Sequence, residues 1–147
     1  MALMSDTNED APLRYILQLE QRLQTLANDL GEVRGAYIRE TNNRYHRLAG
    51  EQLVQQLCNM CIGIAKHRCK QLSYPAPENA YTAFERLAEA DTDSTNTINW
   101  KQIIGMRNAL VHDYLNINPE VIETLIREQQ YLPLVRFALG GLVKLGE

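Results

Sequence analysis

The sequence predicts an all-α fold, an up-and-down bundle of four to five helices. Three observations carry that prediction. Apolar residues recur at spacings of three and four along most of the chain. No stretch alternates apolar and polar residues with β-branched enrichment, the pattern of a half-buried strand. Proline and capping residues fall between the periodic segments, where helices stop and start.

Residues 1–11 read as a flexible N-terminal tail, and residues 12–147 as one helical domain. In the first helix Ile16, Leu19, Leu23, Leu26, Leu30, Val33 and Tyr37 form a heptad seam, suited to packing along a long neighbour. Gly31 and Gly35 lie off the seam and are expected to soften or end the helix. Thr41-Asn42-Asn43 reads as a joint. A second helix from about Arg44 to Leu72 carries the stripe Leu53, Leu57, Met60 and Ile64. Pro75 and Pro77 break the chain after it. A short helix from Glu78 to Ala90 presents Tyr81, Phe84, Leu87 and Ala88. The polar run Asp91–Asn96 is a loop rich in capping residues. A fourth helix spans about Ile98 to Asp113. Asn118-Pro119-Glu120 opens the last helix: an Asn cap, a proline at the first helical position and an acid against the dipole. It carries Ile122, Leu125 and Ile126, and is expected to bend at Pro133. The long helices leave much apolar seam, part of which a homodimer is expected to cover.

At 147 residues the chain has the size of one domain. Its 15 Lys+Arg against 18 Asp+Glu give a net charge of −3, which argues against sequence-blind nucleic-acid binding over the whole surface. A small local nucleic-acid site stays open. No apolar run approaches the ~18–20 residues of a membrane span. The N-terminus is too polar for a signal peptide, so a soluble cytoplasmic protein is expected. Cys58, Cys61, His67 and Cys69 superficially offer zinc ligands. On one continuous helix, however, Cys58 and Cys69 lie roughly 16 Å apart. Packed thiols are the favoured reading, and no metal is expected.

The stretch richest in residues able to carry chemistry is Gly105–Tyr114, and its projection on a helix is informative. Ile103, Arg107, Leu110 and Tyr114 share one face at ~100° per residue. Arg107 therefore lies in or beside an apolar stripe, where a guanidinium is costly unless paired or facing a wet cleft. It either reaches solvent along its own stem, pairs with a core carboxylate, or serves a site. Tyr114 is either a packed aromatic or part of that site. His112 adds a group able to move protons near neutral pH. A base for a ribose 2′-hydroxyl and a cation for a phosphorane-like transition state are the minimum of metal-independent RNA cleavage. On an ideal helix Arg107 and His112 are ~140° apart. Three routes join them: the helix end unwinds near Asp113, the long Arg reaches round, or two subunits bring two copies together.

Arg107, four residues, His112, one residue, Tyr114 resembles the Arg-x4-His-x-Tyr motif of HepT-type HEPN proteins, the toxins of minimal nucleotidyltransferase pairs. Cys61–His67 and Tyr81–Ala90 resemble that family's second and third helices. Gly105–Leu115 and Ile117–Ile122 resemble its core block. The resemblance covers roughly residues 12–140. It implies a helical homodimer with a ribonuclease site in the cleft between subunits, and no metal or cofactor in this chain. It implies Arg107 and His112 as the catalytic pair and Asn108 as a polar residue orienting the site. It also implies that the partner nucleotidyltransferase modifies Tyr114 with AMP taken from ATP. An adenylyl group there would block the cleft and repel an RNA phosphate. Candidates for gripping RNA are Arg107 and Lys101, with Arg44, Arg47, Lys66 and Arg68 beside them, these four alternatively a solvated helix face.

Two rival readings stand beside the enzyme. One is a non-catalytic helical protein that binds a nucleotide or a nucleotidyltransferase, with Arg107 and His112 as ligands. The other is a plain bundle in which the motif is a buried polar network.

Overall fold

The computed structural model describes residues 2–40, 42–90, 98–112 and 117–147, with side chains from Pro12 onward. Within them are six α-helices and no strand: α1 (Ala2–Arg39), α2 (Arg44–Gln71), α3 (Ala80–Ala90), α4 (Trp100–His112), α5 (Pro119–Arg127) and α6 (Leu132–Leu145). None of these helices is long and apolar enough to cross a membrane.

The backbone is helical from Ala2, through the segment expected as a tail, and Pro12 sits inside α1. Proline's fixed φ is itself helical, so its presence costs local stability without forbidding the helix. Gly31 and Gly35 do not end α1 either. Each costs about 1 kcal/mol against alanine. Burial of Leu23, Leu26, Leu30 and Tyr37 on the predicted seam outweighs that cost. The seam packs on α2, α5 and α6 of the same chain.

The joint after α1 forms at Asn42, in the left-handed region at φ 66°, which asparagine tolerates. Asn43 then caps α2, its side-chain oxygen accepting from the amides of Tyr45 (2.9 Å) and His46 (3.2 Å). α2 is the hub, packing against all five other helices. Its buried surface is consequently wider than the predicted stripe and takes in Val54, Cys58, Cys61, Ala65 and Cys69.

The last expected helix is two helices. Gln129 adopts φ 57°, and the Gln130 amide bonds back to the Leu125 carbonyl at 2.8 Å. That is a Schellman-type stop, here without the usual glycine. Pro133 falls in the first turn of α6, where a missing N–H costs nothing. It starts a helix rather than bending one. Asn118 caps α5 as expected, accepting from the Glu120 amide at 3.0 Å.

Two close approaches lock the hub. A Cβ on Gly141 of α6 would stand 2.4 Å from Ile64 Cγ2, and one on Gly50 would stand 2.2 Å from the Tyr37 hydroxyl. At the other end Phe84 stacks on Trp100 with ring centres 3.7 Å apart, and Phe137 packs against both. This aromatic cluster ties α3, α4 and α6 together and fixes the start of α4, the helix that bears Arg107.

Candidate active site

α4 begins at Asn99, whose side chain accepts from the Gln102 amide at 3.2 Å. Its buried side chains are Trp100 and Leu110, and Ile103 packs against the core beside them. Arg107 lies on that same side and is half-buried, as its place in the stripe predicted. It is held by neutral amides. Arg107 Nε donates to Asn59 Oδ1 of α2 at 2.7 Å, and Nη1 donates to Asn108 Oδ1 at 3.1 Å. No carboxylate bonds to it among the described residues.

Arg107 and Asn108 line an open groove of about 700 Å³ between α2, α3 and α4. Lys66 of α2 and Lys101 of α4 line the same groove, together with Tyr81 and one acid, Glu85. Two of the candidate RNA-gripping cations are thus gathered around Arg107. The others are not. Arg47 lines a separate pocket with Glu120 and Glu123. Arg44 stands at the start of α2, roughly 33 Å along the helix from Lys66 at ~1.5 Å per residue. Arg68 is buried and donates to Gln71, whose own amide donates to the Lys144 carbonyl at 2.8 Å. It serves the α2–α6 junction.

His112 is exposed at the last position of α4. The helix is regular up to it, and no bond joins it to Arg107. Unwinding before His112 therefore does not bring the pair together. Nor does Arg107 reach round, since both of its bonds are made elsewhere. Asp113 and Tyr114 lie outside the described residues.

Cys58, Cys61 and Cys69 are buried free thiols. Burial pushes Cys58 up to about 12 despite the nearby Arg107 charge, and also holds Cys61 well above the usual thiol range. The Cys61 and Cys69 sulfurs lie 3.5 Å from the carbonyls of Leu134 and Ala83. A thiol held neutral in this way is packing material, with no nucleophile to offer.

The family model for HepT-like ribonucleases matches residues 13–138. The chain belongs to the HepT-like ribonuclease family. Its class is therefore that of an endoribonuclease. A curated relative, the mRNA nuclease HepT of Shewanella oneidensis, is 26% identical over 89 residues, covering 56% of this chain and 67% of the relative. A solved structure described as a toxin–antitoxin crystal structure with AMP-PNP shares the fold. Its TM-score is 0.70 at 20% identity, covering 84% of this chain and 94% of that one.

Against this HepT-like background, the residue that sequence reading missed is Asn59. It lies on the exposed face of α2, between the buried Cys58 and Met60 and one turn after Gln56. With Gln52 and Gln56 on the same exposed face, one more amide gave no signal in the sequence. Only the crossing of α2 and α4 shows that its partner is 48 residues away.

Proposed function

We propose that this chain is the toxin of a toxin–antitoxin pair, a metal-independent endoribonuclease that needs no cofactor and acts in the cytoplasm. One observation carries the reading. Arg107 is half-buried, oriented only by neutral amides, and set in a groove with Lys66 and Lys101. Its positive charge is placed and left uncancelled, as stabilisation of a phosphorane-like transition state requires.

The site is completed in the cleft of a homodimer. Within one protomer Arg107 and His112 face ~140° apart on a regular helix. A two-fold axis beside α4 would set one protomer's Arg107 near the other's His112. His112 takes the proton of an RNA 2′-hydroxyl as its oxygen bonds to phosphorus. Arg107 takes up the charge on the non-bridging oxygens, with Asn108 holding its Nη1. The P–O5′ bond breaks, the 5′ oxygen takes a proton from water, His112 returns its own proton to solvent, and a cyclic phosphate remains.

The antitoxin is a minimal nucleotidyltransferase that transfers AMP from ATP to Tyr114. The likeness to a toxin–antitoxin structure with AMP-PNP supports a nucleotide-handling partner. Co-expression with a nucleotidyltransferase encoded beside the gene tests this. The expected result is AMP mass on the peptide containing Tyr114 and loss of RNA cleavage. A modified Ser or Thr with unmodified Tyr114 would refute the assignment. Expressed alone, the chain should arrest growth, and His112→Ala should relieve the arrest. Arrest that persists in His112→Ala would favour the binding-protein reading.

A further inference from the structure

One of the two anchors of Arg107 takes no part in the bond changes described above. Asn59 on α2 accepts from Arg107 Nε at 2.7 Å, across 48 residues of sequence. We propose that Asn59 is a positioning residue for RNA cleavage, which fixes the Arg107 guanidinium without neutralising it. This rests on the reading of Arg107 given above.

The argument is one of donor geometry and charge. A guanidinium has five N–H donors in a rigid plane. Asn59 takes the one on Nε, and Asn108 takes one on Nη1. Both hydrogens on Nη2 and one on Nη1 keep no partner among the described residues, and they form the fork that fits two phosphate oxygens. Two anchors on different helices fix both the tilt and the rotation of the plane. Asn108 neighbours Arg107 on the same helix, so by itself it leaves the plane free to swing. Asn59 ties it to the hub helix.

The chemical type of residue 59 matters as much as its place. An aspartate could accept the same bond, but would pair with the guanidinium and cancel the charge the transition state needs. A leucine would leave the Nε of the half-buried Arg107 without this acceptor. An amide meets both demands.

The experiment is a double-mutant cycle on RNA cleavage by the full chain, with Asn59→Ala, Arg107→Lys and the pair. Lysine keeps the charge but has no Nε to orient. Asn59→Ala is expected to lower kcat about tenfold with little change in KM, the pattern of an interaction felt in the transition state. In the Arg107→Lys background the same change should cost less than about twofold, because the two residues act as a unit. Asn59→Asp should fall below Asn59→Ala, since it retains the bond and removes the charge. Unchanged cleavage by Asn59→Ala would overturn the proposal. So would an equal loss in both backgrounds, which would mark Asn59 as acting on the fold. Should Arg107→Ala itself cleave normally, the functional reading fails together with this inference. Full loss in Arg107→Ala with none in Asn59→Ala removes this inference alone.

Discussion

Arg107 and Arg127 are both half-buried, and each reaches from a short helix to a long one, yet the chain treats them oppositely. Arg127 pairs with Glu123 at 2.7 Å, one turn back on α5, and its Nη2 also approaches the Tyr37 carbonyl at 3.5 Å. Its own carbonyl accepts from Arg34 Nε at 2.7 Å. That corner stitches α5 to α1 and spends its charge locally. Arg107 has the same kind of anchorage, but to the oxygens of Asn59 and Asn108. The difference teaches that burial and hydrogen bonding of an arginine do not mark it as structural. What separates the two is whether the anchor carries a charge. An anionic anchor yields a fastener, and a neutral anchor leaves the field intact for a ligand.

That contrast can be broken most directly at the arginines themselves. Arg107→Ala and His112→Ala should each lower RNA cleavage by about a thousandfold or more, the scale of losing a charge stabiliser or a general base. Circular dichroism melts of both should match the parent, and a melt lowered by many degrees would place Arg107 with Arg127 among the fasteners. Arg127→Ala should do the reverse. Cleavage should stay within about twofold while stability drops by about 1 kcal/mol, measured by urea unfolding, because a partly exposed helix pair and one carbonyl contact are lost.

The surrounding charges give a smaller effect. Lys66→Ala and Lys101→Ala should each weaken RNA binding and reduce the salt slope of log K by about 0.7, the single-strand value for one phosphate contact. Arg47→Ala, in the pocket with Glu120 and Glu123, should leave both quantities unmoved. A slope that responds to Arg47 and ignores the lysines would move the RNA path to the other end of α2.

Two treatments should have almost no effect. Cleavage should persist in EDTA, and restoration by added divalent metal would refute the base-and-cation chemistry. Iodoacetamide at pH 8 should leave Cys58 unlabelled in the native chain. Its thiol, pushed up to about 12, is protonated well below that pH. Rapid labelling would mean that the buried face of α2 opens.

Much of this was legible in the sequence for identifiable reasons. The α1 seam from Leu23 to Tyr37 is buried as its spacing indicated, because a helix buries whatever face is apolar. The caps at Asn43 and Asn118 are local chemistry, decided within a few residues. The break at Gln129 was missed because a left-handed stop usually announces itself by glycine. The breadth of α2's buried face was missed because periodicity gives a face's direction, and the number of neighbours gives its width. Tyr81 was read with the apolar face of α3, yet it is 43% exposed and lines the groove.

By itself the sequence determined the helical class, most helix ends and the placing of a guanidinium beside an apolar stripe. These follow from short-range periods and caps, which a linear string records in full. Tertiary structure alone decided which cations converge and what holds Arg107. It drew Lys66, Lys101 and Arg107 to one groove, left Arg47 at the opposite end, and set Asn59 against the guanidinium Nε. The physical reason is the crossing of α2 and α4. It is fixed by the summed packing of Phe84, Trp100, Phe137 and the hub, and no local pattern encodes which distant side chains such a crossing brings face to face.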